Sequence, residues 1–219
     1  MRDPVDGLRR VDPGYKVPKG QIKFSKTEIL HIAVAILVLS IAFSIVMRRG
    51  FSSLDPSMND MLFLLGFSFI LVVFSFLIHE FGHKFVAQRY NAWSEFRAYP
   101  FGLLFALMMS FMGFLFAAPG AVYIRGNIDK EMNGKISLAG PAVNFVVSAI
   151  AIVLFFMTGG LLATLFGMLA YLNAFLGLFN LIPIPPFDGS KIVTWDLKVY
   201  IMAALIGAVE LFIVFTQIF

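Results

Sequence analysis

No cysteine occurs anywhere in the 219 residues, and histidine occurs only three times. The first absence excludes disulfides, thiol nucleophiles and thiolate metal sites, so any metal must rest on histidine, carboxylate or amide ligands. Charge is scarce as well: 14% of the residues are Asp, Glu, Lys or Arg, against about a quarter in soluble domains. With 59% hydrophobic residues and a mean hydropathy of +0.87, the chain reads as an all-α polytopic membrane protein. There is no internal repeat, low-complexity tract or nucleotide-binding loop, and no nucleic-acid partner is expected. Residues 1–28 are polar, basic and broken by Pro and Gly, without the apolar core of a secretory signal. They are expected to form a cytoplasmic tail ahead of a transmembrane domain over 29–219.

Five long apolar runs remain. Their expected bounds are Ile29 to Met47, Met61 to Tyr90, Ile136 to Met157, Leu161 to Ile182 and Val199 to Phe219. The second exceeds what the hydrocarbon needs, so its C-terminal end is expected to protrude toward the interface. Between the second and third lies "YPFGLLFALMMSFMGFLFAAPGAVYIRG", which could cross the bilayer or dip in and return. Charge decides between these. If it returns, one side holds the seven Lys/Arg of the tail with Arg89, Arg97, Arg125, Lys130, Lys135, Lys191 and Lys198, and the other only Arg48 and Arg49. If it crosses, the contrast falls to 9 against 7. Lys and Arg accumulate on the cytoplasmic side, so a re-entrant or strand-containing segment, five spans and a cytoplasmic N-terminus are expected. Irregular backbone at that depth needs protein or a water-filled cavity around it. "APGAVYI" is its expected strand-forming part.

The second run carries "HEFGH" near its inner end. Helical positions four apart face the same way, so His79 and His83 can offer two imidazole nitrogens to one ion. Glu80 can reach a water held by that ion, whose pKa zinc lowers toward about 7. Ionisable groups inside a span are expensive and usually functional. Gly82 weakens the helix by about 1 kcal/mol relative to Ala, a cost suited to a close backbone approach. A third histidine at the downstream spacing of extended motifs is absent, because Val86 and Arg89 stand there. His31 opens the first span and is expected to be interfacial. Asp188 is the stronger third ligand, in "FNLIPIPPFDGSK", where three prolines remove helical donors and Gly189 permits a sharp turn. The second and fourth spans both run inward, so both halves of the site should reach the same leaflet, the cytoplasmic one.

These residues resemble the site-2 proteases, the intramembrane zinc metalloproteases. That family pairs a membrane-embedded His-Glu-x-x-His with a later Asn-x-x-Pro-rich segment ending in Asp-Gly, matched by "HEFGH" and "NLIPIPPFDG"; "AGPAVNF" fits its Gly-Pro-x-x-Asn stretch. The match covers roughly residues 61–190, the expected core. It implies one zinc ion per chain on His79, His83 and Asp188, with Glu80 as general base, and Asn180 and Asn144 as polar groups that orient substrate or stabilise a developing oxyanion. Ser190 stands where many members have a second glycine, and a Phe- and Met-rich insertion replaces a short Gly-rich strand.

The implied partners are a transmembrane protein substrate and the lipid bilayer, with the oligomeric state open. A transmembrane substrate must unwind locally to expose a peptide carbonyl, and an edge strand in the re-entrant segment would pair with it. The first and last spans are expected to act as gates, and Glu210, mid-span, is expected to pair within the bundle or line a gate. Two other readings stay open: a membrane zinc protease of the prenyl-protein endopeptidase or heat-shock type, for which Glu131 and Glu95 are poorly placed as third ligand, and a metal carrier or inactive relative.

Overall fold

The structure is a computed structural model that describes residues 22–50, 58–115 and 118–219. Residues 1–21 of the expected tail and residues 51–57 of the loop after the first span lie outside the described residues. The described chain runs through α1 (Lys26–Gly50), α2 (Met58–Val72), a π-helical turn (Val73–Leu77), α3 (Ile78–Arg89), β1 (Trp93–Ala98), α4 (Pro100–Ser110), β2 (Gly120–Arg125), α5 (Lys130–Met157), α6 (Gly160–Asn180), α7 (Asp188–Trp195) and α8 (Leu197–Gln217). Among the described residues, five helical stretches are long and apolar enough to cross a bilayer, and α2, the π turn and α3 together make the second. The third begins at Lys130 rather than Ile136. Its extra turns are polar, and Asp129 caps them by accepting from the Met132 N–H at 2.8 Å.

The ambiguous segment resolves into β1, α4 and β2. An 11-residue helix rises roughly 16 Å, about half the hydrocarbon thickness, so α4 cannot cross. β1 pairs antiparallel with β2, Trp93 opposite Arg125 and Ala98 opposite Gly120. The chain therefore leaves the end of α3 and returns to the start of α5 on one side. The strand expected in "APGAVYI" is β2; β1 was not expected. Its charged Glu95 and Arg97 conceal a pattern in which Ser94 and Phe96 are buried.

One stripe of α1, with Ala35 and Leu39, packs with Val72, Phe96, Leu103 and Ala106, which seats the strand pair and α4 against the first span. A second cluster joins Phe145 of α5 to Leu181, Ile192 of α7 and Ala203 of α8. It anchors the loop between α6 and α7, whose Pro185–Pro186 peptide is cis. α7 then starts at Asp188 itself.

Candidate metal centre

Two helices build the centre from opposite sides. α3 supplies His79 and His83, one turn apart, and the first residue of α7 supplies Asp188. All three are buried, with one ligand atom from each within 4.8 Å of the others. The two Nε2 atoms are 3.1 Å apart. Asp188 Oδ2 lies 3.1 Å from His83 Nε2 and 3.5 Å from His79 Nε2.

The partners on the far side of each ring fix which nitrogen carries the proton. His83 Nδ1 is 2.8 Å from the Ile136 carbonyl, which can only accept, so Nδ1 donates. His79 Nδ1 is 2.5 Å from Asn144 Oδ1. The orientation of that amide is itself determined, because Asn144 Nδ2 donates to the Ser75 carbonyl at 3.1 Å and to Asn173 Oδ1 at 2.8 Å. Asn173 Nδ2 in turn donates to Leu169 O. Both rings therefore present Nε2 to the cluster as a lone pair, as a metal-binding imidazole must. Ser75 lies in the π-helical turn just before α3, and Asn144 reaches its carbonyl from the neighbouring helix.

This donor set fits zinc. Tetrahedral ligands at about 2.0–2.1 Å from the ion stand about 3.3 Å from each other, and the three observed separations bracket that value. The cradle is closed by backbone: a Cβ at Gly140 of α5 would sit 2.5 Å from His83 Nε2. Gly82 fulfils the expected close approach, since a Cβ there would meet Ala139 O at 2.7 Å.

Glu80 is buried beside the cluster, and its Oε2 accepts from the Val122 N–H of β2 at 3.0 Å. Asn144 joins the cluster through His79 and has its acceptor and both amide hydrogens engaged. Asn180 Nδ2 donates to Leu176 O of its own helix at 2.9 Å. His31 lies apart from the histidine pair and accepts from the Ala98 N–H at 3.2 Å. Glu210 is half-buried on α8, with Oε2 lacking a hydrogen-bond partner among the described residues. Asn173 and Ser75 escaped the sequence reading. An asparagine in the middle of an apolar span was the available signal for the first; nothing local announces a π turn.

The fold and the cluster together define a polytopic membrane protein with a zinc-metalloprotease centre between its helices. A profile of Peptidase family M50 matches residues 159–201. A putative zinc metalloprotease of Methanocaldococcus jannaschii is 36% identical over 189 residues, covering 84% of this chain and 92% of that protein. A second zinc metalloprotease of that organism is 32% identical over 126 residues, 57% of this chain and 32% of its own length. A putative zinc metalloprotease of Bacillus subtilis is 31% identical over 149 residues, with 57% and 66% covered. No solved structure matches the chain at a significant level. The chain belongs to Peptidase family M50, and it is a zinc-dependent membrane protease of the site-2-protease type.

Proposed function

We propose that this protein cuts peptide bonds in or near transmembrane helices of membrane-protein substrates, with His79, His83 and Asp188 as zinc ligands and Glu80 as general base. The observation that carries the reading is the convergence of His79 Nε2, His83 Nε2 and Asp188 Oδ2 next to the Glu80 carboxylate. Zinc held there supplies Lewis-acid polarisation and an activated water at neutral pH. Glu80 takes the proton of the water as its oxygen bonds to the peptide carbonyl carbon, then gives that proton to the amide nitrogen as the C–N bond breaks. Asn144 holds the His79 ring rather than substrate, since no hydrogen of its amide is free. Asn180, on the last turn of the helix leading to Asp188, keeps one amide hydrogen beyond its bond to Leu176 O, and we assign that hydrogen to the substrate carbonyl.

The substrate must arrive extended, because a helix hides its carbonyls in internal hydrogen bonds. β2 offers it an edge. The groups of Gly120, Val122 and Ile124 point away from β1, and the only hydrogen bond the described residues place along that edge is the one from Val122 to Glu80. A strand added there would lie against the general base. The zinc site is assigned to the cytoplasmic leaflet and the N-terminus to the cytoplasm, on the Lys/Arg distribution.

The test is zinc content and cleavage of a single-span substrate by purified wild-type, Glu80→Gln and Asp188→Asn proteins. Cleavage lost in both, with zinc retained only in Glu80→Gln, is the expected pattern. Proteolysis by Glu80→Gln at the wild-type rate would refute the assignment.

A further inference from the structure

The strand pair has two outer edges, and side chains close one of them. On β1, the Ser94 carbonyl accepts from Lys84 Nζ at 2.8 Å. The Phe96 N–H donates to Glu28 Oε1 at 2.9 Å, and the Ala98 N–H donates to His31 Nδ1 at 3.2 Å. These groups alternate along the strand and all point away from β2, so three side chains stand where a third strand would. Two come from the first turns of α1, and Lys84 sits one turn beyond Glu80 on α3.

Glu28 and Lys84 are both fully buried, 0% exposed, with Nζ 2.9 Å from each carboxylate oxygen. Lys84 Nζ also lies 4.6 Å from the centre of the Phe24 ring. Burying such a pair is costly, and it is weak evidence for a stabilising role by itself. Local sequence would use Glu28 differently. "SKTE" is a capping-box pattern, in which the glutamate turns back to the N-cap N–H. Here Ser25 Oγ does accept from the Glu28 N–H at 3.1 Å, but the carboxylate leaves its own helix for Lys84 and Phe96.

Phe96 faces Val122 across the sheet. The same residue pair is therefore held by a carboxylate on each side, Glu28 at β1 and Glu80 at β2. We propose that Glu28, Lys84 and His31 are positioning residues for the proteolytic reaction. They close the outer edge of β1, leaving β2 as the edge open to a substrate strand, and they hold that edge in one register against Glu80. This inference rests on β2 being the substrate-pairing edge. Loosening the tether lets the strand pair shift along α3, so the substrate is presented to the cluster at more than one peptide bond.

The test uses the purified full-length protein, a single-span substrate, mass spectrometry of the product ends, KM and kcat at the main site, and zinc content. His31→Ala removes one neutral hydrogen bond and no charge, and is expected to raise KM about 3- to 10-fold. It should add cut positions near the main one, with kcat and zinc content unchanged. His31→Gln, which restores an acceptor for the Ala98 N–H, should return both the KM and the single cut. Lys84→Met strands a buried carboxylate, so Glu28→Gln/Lys84→Met is the variant to compare with it; the pair should fold and should scatter the cuts. Wild-type KM and a single cut in both His31→Ala and the double variant, with Glu80→Gln inactive, would overturn this inference and leave the catalytic assignment standing. Cleavage by Glu80→Gln would overturn both.

Discussion

Asn144 offers the sharpest test of how the centre is built. Three buried groups depend on it: His79 Nδ1–H, the Ser75 carbonyl and Asn173 Oδ1. Leaving a buried polar group unpartnered costs about 1–3 kcal/mol, so Asn144→Ala should lose several kcal/mol of stability. Only the His79 contact acts on the metal, by fixing the ring and its tautomer, and losing such a partner lowers metal affinity about 10- to 100-fold. Asn144→Asp separates the two effects. It keeps an acceptor for His79 but places acceptors opposite Ser75 O and Asn173 Oδ1, so it should be destabilised while holding zinc within a few-fold of the wild type, on the order of 1 kcal/mol or less. The assay is zinc competition against a chelator of known affinity, paired with denaturant unfolding of the same samples. Equal loss of affinity in the Ala and Asp variants, or wild-type affinity in Ala, would refute the argument.

Glu80→Gln should lower kcat about 100- to 10,000-fold, the usual share of a general base, at unchanged zinc stoichiometry measured by metal analysis. Gly140→Ala should lower zinc affinity at least about tenfold although alanine favours a helix by about 1 kcal/mol, because its Cβ would meet His83 Nε2 and His79 Cε1; chelator competition reads the sign. The absence of cysteine makes single-cysteine labelling clean. Lys130→Cys, at the strand-pair end, should be protected from an impermeant reagent in intact cells, whereas Gly159→Cys, between α5 and α6, should react; the opposite pattern would reverse the topology. Cross-linking α1 to α8 through paired cysteines should block cleavage of a membrane substrate, and unaffected cleavage would remove those helices as gates.

Span number, the re-entrant segment and the pairing of His79 with His83 were legible because each rests on short-range signals. Hydropathy over about 20 residues marks a span, the Lys/Arg imbalance rejects a sixth crossing, and a four-residue spacing puts two histidines on one helix face. Asp188 was legible as the candidate third ligand because it follows a proline-rich break, and it stands as the first residue of a short helix. β1 was not legible, since a six-residue strand reveals itself only through its partner, here 22 to 32 residues away in β2. Asn144 was visible, but its task was not. A free amide and one with every hydrogen engaged look alike in sequence.

By itself, then, the sequence determined the solvent this chain folds in, the number of crossings and the chemical types that can meet a metal, because bilayer thickness and helix periodicity act on consecutive residues. The tertiary structure alone decided which nitrogen each histidine offers, that Glu28 leaves its capping box for Lys84, and that side chains occupy the outer edge of β1. Those outcomes depend on groups that burial forces to find hydrogen-bond partners from distant parts of the chain, and no local pattern encodes that pairing.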